Sequence, residues 1–198
     1  MQIKVITEDI LPTHIQSIAA IHKNAYHNDH FTSVFSIVKL EEYYNFLIKN
    51  SDLPLIAIND QGDCIGFIIS GTTVSKGIQG FIRINRMYLM GVMFRNPTFL
   101  IQKLYFKAYA LFKPSRPSLA EFRLLSISVN PAFQSTGVGE RMLNFFESRL
   151  ATMNINSYGL SVRSNNTRAV QFYVNNDFIK EKQYLSTTYF YKDVKMKS

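Results

Sequence analysis

The spacing of apolar residues along the first part of the chain changes between two periods, and each period predicts a different element. Short apolar runs typical of strands cover residues 2–6, 55–58 and 64–70. Apolar positions three and four apart, as on one face of a helix, cover residues 12–26 and 35–49. The polar sequence of residues 59–63 contains Gly62 and predicts a hairpin turn between the last two strands. The expected order is therefore strand, two helices and an antiparallel hairpin.

Residues 72–118 follow this hairpin and are too long for a simple turn, so they are expected to have structure of their own. Their pattern predicts two helices, over residues 77–95 and 96–113, with Asn96 as N-cap and Pro97 at the first helical position. Lys103 and Lys107, four residues apart, predict a charged stripe on the second helix. The apolar residues expected to face the domain are Phe99, Leu100, Leu104, Leu111 and Phe112.

The second half of the chain contains a glycine turn between a strand and a helix. An apolar strand over residues 122–129 breaks at Asn130-Pro131 and continues through Gly137 and Gly139 into a segment with helical spacing. Glycine has no Cβ, so the backbone of this turn can adopt conformations and close approaches that other residues cannot. The first amides of the helix lie at the positive end of its dipole, which predicts a phosphate-binding turn.

Two well-known families of glycine loops are excluded by the residues that follow. A P-loop requires Lys and then Ser or Thr after its last glycine, but Glu140 and Arg141 follow Gly139. A dinucleotide fingerprint requires a third glycine at position 142, which is Met142. The remaining arrangement, a strand ending in Val-Asn-Pro followed by Gln134 and two glycines, resembles the acetyl-CoA signature of the GNAT superfamily of N-acetyltransferases.

A second motif extends this resemblance to about residues 121–178, and more loosely to the whole chain. After a strand-like run at residues 157–162, Asn166, Ala169 and Tyr173 recur at spacings of three and four, which places them on one helix face. The GNAT core ends with the same order of residues. Asp177 stands where this family often has a helix-ending glycine, and Asp tolerates the left-handed conformation better than most residues.

The resemblance implies a fold and a cosubstrate. The fold is α/β (α+β), with a mixed, mostly antiparallel central sheet flanked by helices, in a single domain over residues 1–198 that carries residues 72–118 as a basic helical insertion. The cosubstrate is acetyl-CoA, with its pantetheine arm between the strands at residues 122–129 and 157–162, and no metal. The residues implied in cofactor binding are the backbone groups of Ile127 and Val129, the turn of Gln134, Ser135, Thr136, Gly137, Val138 and Gly139, and the side chains of Asn166 and Tyr173.

Two residues are candidates for proton transfer. Tyr173 occupies the position of the family's tyrosine acid and is expected to protonate the leaving thiolate, unless it serves only in packing. The positions where the family often has a basic carboxylate correspond to Arg123 and Ser161. Glu121 is the nearest carboxylate and is the candidate general base, acting through water. The alternative is a surface acid paired with Arg123.

The net charge of +8 comes from one segment of the chain. Between Cys64 and Ala120 there are eight Lys and Arg residues and no Asp or Glu, whereas the rest of the chain has 14 basic and 14 acidic residues. Such a segment favours an anionic partner, namely CoA phosphates, a nucleotide-linked substrate, anionic lipid or nucleic acid. A solvated basic face without a partner is the alternative.

Other features limit the location and the metal chemistry. The first residues do not resemble a signal peptide or a membrane span, and the single cysteine, Cys64, suits the core of a protein in a reducing compartment, so a cytoplasmic location is expected. The histidines lack the spacing of a metal site. His27, Asp29 and His30 follow the first helix and are candidates for contact with the acceptor.

The leading functional hypothesis is an N-acetyltransferase that acts on a small-molecule amine by direct attack in a ternary complex. The helical insertion and the apolar cofactor strand resemble GNAT enzymes of surface-sugar biosynthesis, which implies an amino-sugar nucleotide as acceptor, and its diphosphate suits the basic insertion. A peptide or protein amine is the enzymatic alternative. A non-catalytic CoA-fold module that binds membrane or nucleic acid through the insertion is the other. The leading hypothesis expects no nucleic acid and no membrane span, and it leaves open whether the protein is a homodimer.

Overall fold

The computed structural model describes residues 1–7, 11–26, 30–116 and 118–195. Its centre is a seven-stranded sheet with strand order β1-β2-β3-β4-β5-β7-β6. Among the described strands, only β4 and β5 pair in parallel, and the other neighbours are antiparallel. The expected mixed, mostly antiparallel sheet is therefore confirmed. The strands are β1 (Gln2–Val5), β2 (Leu55–Ile58), β3 (Cys64–Gly71), β4 (Arg123–Val129), β5 (Ser157–Arg163), β6 (Ile179–Tyr184) and β7 (Thr187–Asp193).

Helices cover both faces of this sheet. On one face, α6 and α7 bury Met142, Phe146 and Tyr173 against β4 and β5. On the other face, α1 and α2 bury Ile18 and Tyr44 against β3. The helices are α1 (Leu11–Ala25), α2 (Ile37–Lys49), α3 (Val74–Ile84), α4 (Arg86–Arg95), α5 (Pro97–Phe112), α6 (Val138–Thr152) and α7 (Thr167–Asn175), with short 3-10 helices at Phe31–Val34 and Pro131–Phe133.

The basic segment contains three helices, so the prediction of a single helix over residues 77–95 is wrong. The helical conformation is interrupted at Asn85, between α3 and α4. The side-chain amide of Asn85 donates to Glu42 at 2.6 Å, and the ammonium group of Lys39 donates to its oxygen at 2.8 Å. Both partners belong to α2. Hydrogen bonds to a distant helix therefore fix the break, and the local apolar pattern carries no signal for it.

The predicted start of α5 at Pro97 and the N-cap position of Asn96 are confirmed, but the expected orientation of part of the helix is wrong. The side chain of Asn96 makes no capping hydrogen bond to α5 and donates to the carbonyl of Val92, at the end of α4. Leu104, Leu111 and Phe112 were expected to face the domain, and Leu111 and Phe112 are 79% and 85% exposed. The opposite face of α5 makes the contacts with the rest of the protein.

The structure gives two further observations on the expectations from the sequence. Asp177 adopts the left-handed conformation with φ of 63°, as expected for a residue that replaces a helix-ending glycine. No helix in the described part of the chain has the length and apolar character needed to cross a membrane.

Candidate active site

Strands β4 and β5 diverge and leave a gap in the middle of the sheet. They pair only where Arg123 lies opposite Gly159, whose amide donates to the carbonyl of Phe122 at 2.9 Å. Beyond this point β4 continues along β3, and the amide of Asn130 still donates to Ile65 on β3. Because backbone groups point to alternate sides along a strand, those of Ile127 and Val129 face the gap. This edge of β4 can pair with an extended ligand.

A β-bulge sets which side chains of β4 face each side of the sheet. Ser126 pairs with Ile69 and Leu124 pairs with Ser70, so Leu125 has no partner on β3. An extra residue in one strand of a pair shifts the alternation of side chains by one position. Ile127 consequently lies on the α6 side, like Leu124, while Ser126 lies on the α1 side.

The turn before α6 contains two residues in the left-handed conformation. Ser135 and Gly137 have φ of 65° and 79°, both in the left-handed region. The first hydrogen bond of the α6 ladder runs from the amide of Arg141 to the carbonyl of Gly137. The amides of Val138 and Gly139 precede it and point out of the helix end. Among the turn residues predicted to bind the cosubstrate, Gln134 differs, because its backbone amide already donates to the carbonyl of Pro131 at 3.3 Å.

Side chains from two elements fix this turn in place. The amide group of Gln134 donates to the carbonyl of Val129 at 3.1 Å, which ties the turn to the end of β4. Arg168 of α7 donates to the Gln134 oxygen at 2.6 Å and to the hydroxyl of Ser135 at 3.1 Å. Sequence reasoning missed Arg168, although a basic residue in the first turn of the helix after β5 was a usable signal. The exposed guanidinium adds positive charge beside the helix end.

Two predicted residues belong to α7 and its N-cap position. Asn166 is the N-cap, and its side-chain oxygen accepts from the amide of Ala169 at 3.1 Å. Tyr173 is buried among Phe172, Phe178 and Phe190. Burial first, and then the neighbouring phenol of Tyr26, raises the pKa of Tyr173, so its hydroxyl stays protonated.

Tyr26 approaches the gap from the other side of the sheet, and the sequence pattern gave no indication of it. It follows α1, and its hydroxyl lies 2.8 Å from the hydroxyl of Ser126 on β4. The residues are 100 positions apart in the chain, so only the fold brings them together. Burial raises the pKa of Tyr26, and the hydrogen bond with Ser126 opposes that shift.

A buried polar network supports Tyr26 from behind. The ring of His22 stacks on Tyr26 with centroids 4.0 Å apart, and its nitrogens lie 2.7 Å from the Tyr44 hydroxyl and 2.8 Å from that of Thr32. His30 also lies 2.8 Å from the Thr32 hydroxyl. Burial first, then the charges of His30 and Lys23, lowers the pKa of His22 to about 3, so the ring is neutral.

The other candidates from the sequence lie apart from this network or outside the described residues. Glu121 is exposed and precedes β4, four residues before the bulge, or about 13 Å along the strand. Arg123 donates to Ser118 at 2.5 Å, and Ser118 in turn donates to Glu181 at 2.9 Å. The expected alternative of a Glu121–Arg123 ion pair is not among the contacts of the described residues. His27 and Asp29 lie outside the described residues.

The remaining reactive groups do not form a second centre in the part of the chain that the structure describes. Cys64 is buried, and burial raises the pKa of its thiol to about 12. The described His, Cys, Asp and Glu residues form no group of three or more that could hold a metal ion.

Comparison with known proteins agrees with this geometry. Residues 16–178 match the sequence model of the Acetyltransferase (GNAT) family. No curated protein sequence matches the chain significantly.

Several solved structures have the same fold at low identity. The ribosomal-protein-S18-alanine N-acetyltransferase from Escherichia coli is 15% identical, with a TM-score of 0.55 over 100% of this chain and 96% of that chain. The PaiA N-acetyltransferase from Thermoplasma acidophilum, in complex with coenzyme A, is 17% identical, with a TM-score of 0.56 over 97% and 98%. A GNAT-family acetyltransferase from Staphylococcus aureus is 13% identical, with a TM-score of 0.56 over 98% and 99%.

Proposed function

The chain belongs to the GNAT acetyltransferase family, and we propose that it transfers an acetyl group from acetyl-CoA to the primary amine of a small anionic molecule. The observation that carries this proposal is the joint presence of the open β4 edge and the left-handed turn with free helix amides at its end. A thioester ligand with a diphosphate needs both features, one for its amide-containing arm and one for its phosphates.

The cosubstrate fits the residues at this end of the sheet. Ile127 and Val129 would pair through their backbone groups with the amides of the pantetheine arm. The amides from Ser135 to Gly139 would hold the diphosphate, and Arg168 would add a charge-assisted hydrogen bond. The side-chain nitrogen of Asn166 is directed outward by the bond that its oxygen makes to the α7 backbone, which leaves it available to the arm.

Tyr173 is the proposed general acid. Its raised pKa keeps the phenol protonated at neutral pH, as a proton donor must be. A thiolate, whose acid has a pKa of about 8.5 in water, would accept that proton when held within hydrogen-bond distance. Direct transfer to the amine is supported by the burial of Cys64, whose raised thiol pKa makes it unsuitable as an acyl-carrying nucleophile.

The amine must lose its proton before it attacks. Keeping a lysine-like amine with a pKa of about 10.4 neutral at pH 7 costs about 4.6 kcal/mol, whereas an α-amine near 8 costs about 1.4 kcal/mol. Glu121 stays the proposed carboxylate base and would need bridging water, because it is exposed and precedes β4. The weakly basic amine is therefore favoured, and the hydroxyls of Tyr26 and Ser126 would accept hydrogen bonds from it.

The charge of the helical segment supports an anionic acceptor. All eight basic side chains between Cys64 and Ala120 are exposed, and a field of this sign attracts a negatively charged substrate. An amino-sugar nucleotide of the kind used in surface-sugar biosynthesis combines a diphosphate with a primary amine and is the leading acceptor. A peptide amine is the second candidate, because the Escherichia coli neighbour acts on an alanine of a ribosomal protein.

The test measures release of free CoA from acetyl-CoA with a panel of amino-sugar nucleotides and of acidic and basic peptides. We expect turnover with the nucleotides, and Tyr173→Phe should lower kcat by about 100-fold with little change in the KM for acetyl-CoA. Tyr158→Phe is the matched control, since this buried tyrosine donates to Glu147 at 2.6 Å and should keep its kcat.

The outcomes separate the parts of the proposal. Turnover with peptides alone would replace the acceptor and keep the chemistry. Equal kcat values for Tyr173→Phe and the wild type would remove Tyr173 as the acid. Failure of the folded protein to bind CoA in calorimetry would refute the whole assignment.

A further inference from the structure

Helix α5 exposes an apolar face to solvent. Ile101, Leu104 and Tyr105 recur with Leu111 and Phe112 at the spacing of one helical face, and each is more than half exposed. None of the described residues of α5 is buried. Single exposed apolar residues are common on the surface of water-soluble proteins. A contiguous exposed stripe of this size is rare and marks a surface that contacts a partner.

The orientation of α5 follows from contacts on its opposite face. The ring of Phe99 lies 5.5 Å from that of Phe31, and the ring of Tyr109 lies 5.8 Å from that of Tyr184. The hydroxyl of Tyr184 also donates to the carbonyl of Lys113 at 2.7 Å, at the end of the helix. These contacts hold both ends of α5 against the protein, so its apolar stripe faces outward.

Helix α4 contacts α5 and exposes three more apolar residues on one of its faces. Met87, Met90 and Phe94 occur at spacings of three and four, and Met87 and Phe94 are 80% and 73% exposed. The outer face of α4 and α5 is defined here as these three residues together with the stripe of α5. It contains the three aromatic rings of Phe94, Tyr105 and Phe112 and several flexible aliphatic side chains.

The charged residues of α4 and α5 are all positive. Arg86 and Arg95 belong to α4, and Lys103 and Lys107 flank the stripe of α5. All four are exposed, and the salt bridges of the described residues include none of them. Long basic side chains can keep their charge in the headgroup region while their aliphatic stems lie along an apolar phase.

We propose that the outer face of α4 and α5 docks on the surface of a lipid bilayer with anionic headgroups. An amphipathic helix with apolar residues on one side and Lys and Arg at its flanks binds in this way, parallel to the membrane plane. A second copy of the chain docked through the same face would bring four like charges against four. Nucleic acid would satisfy the charges but leave the aliphatic side chains in water. This inference adds a location to the proposed enzyme and does not depend on its acceptor.

The chain has no tryptophan, so a single introduced one reports its own environment. Phe112→Trp should shift its fluorescence to shorter wavelength with vesicles of phosphatidylglycerol and phosphatidylcholine, and not with phosphatidylcholine alone. Val174→Trp, at a half-exposed position on α7, is the matched reporter and should not shift.

Cosedimentation with the same vesicles tests the two components of the face. The double variant Leu104→Glu/Leu111→Glu should bind at least tenfold more weakly, while Val174→Glu/Ile179→Glu, with the same added charge at exposed positions, should lose much less. Lys103→Gln should reduce vesicle binding roughly fivefold, and added salt should also weaken the binding. Thermal unfolding of each variant controls for folding.

Several results would overturn the proposal. These are no vesicle binding by the wild type, equal binding to neutral and anionic vesicles, and equal loss in the two double variants. Salt-sensitive binding to duplex DNA without vesicle binding would point to nucleic acid. Dimerisation lost in Leu104→Glu/Leu111→Glu, without vesicle binding, would point to a second copy. CoA binding and turnover are measured in separate assays. Failure of the membrane proposal therefore leaves the proposed enzymatic function untouched, and the reverse also holds.

Discussion

The conformation of Gly137 gives a sharp test of the proposed phosphate turn. Its φ is 79°, and a Cβ built on it would meet no heavy atom within 4 Å. Gly137→Ala therefore adds backbone strain without a steric clash. Gly62 in the hairpin turn between β2 and β3 has φ of 90° and equally open surroundings, so Gly62→Ala is a matched control at a position outside the site.

The two substitutions should destabilise the fold by similar amounts. An alanine in the left-handed region costs about 1–2 kcal/mol, and the stiffer unfolded chain returns about 0.4–1 kcal/mol of this. The net loss of about 1 kcal/mol corresponds to a fall in Tm of about 2–4 °C for a domain of this length.

Only Gly137→Ala should weaken the binding of CoA. If the strained turn relaxes, the amides of Val138 and Gly139 rotate away from the ligand. Losing one hydrogen bond to a charged group costs about 1.5–3 kcal/mol, which raises the Kd roughly 10- to 150-fold. Calorimetry with CoA on both variants and the wild type measures this directly. Matching Tm losses with an unchanged Kd in Gly137→Ala would refute the role of the turn.

Two further outcomes follow from single side chains. Arg168→Ala should raise the Kd for CoA about tenfold and reduce its salt dependence, whereas Arg149→Ala, exposed in the last turn of α6, should not; equal Kd values for the two variants in calorimetry would contradict the contact. Because the pKa of His22 falls from 6.5 to about 3 on folding, its stabilising contribution is complete above pH 6.5 and is lost at about 1.4 kcal/mol per pH unit as the pH falls towards 3. Urea unfolding between pH 5 and 6.5 should show this slope in the wild type and a flatter one in His22→Gln, and parallel slopes would contradict it.

Local sequence patterns predicted those elements whose conformation is determined by residues within the element. The hairpin around Gly62 and the start of α5 at Pro97 both depend on backbone preferences of those residues, and the two appear at the predicted positions. The break at Asn85 was not predictable, because it depends on hydrogen bonds to Glu42 and Lys39 that only the packed helices provide.

The same distinction applies to the site. Glycine spacing predicted the turn at Gly137, because the left-handed conformation observed there is one that glycine adopts without strain. The contact between Tyr26 and Ser126 has no local signature, because the two residues meet across the sheet. The inward orientation assigned to Leu111 failed for a related reason: periodicity shows that a helix has an apolar side, but it does not show what covers that side.

The unpaired Leu125 in β4 has a consequence for how this enzyme can diversify. Next to it, Ile127 directs its main-chain groups into the gap where we propose that the cosubstrate binds, while Ser126 presents its side chain to the opposite face of the sheet. Substitutions at position 126 can therefore explore new acceptors without altering cosubstrate recognition. Deleting Leu125 would leave Ser126 opposite Ile69 and Ile127 opposite Ile68, so the register with β3, and not the extra residue itself, keeps the two sides apart.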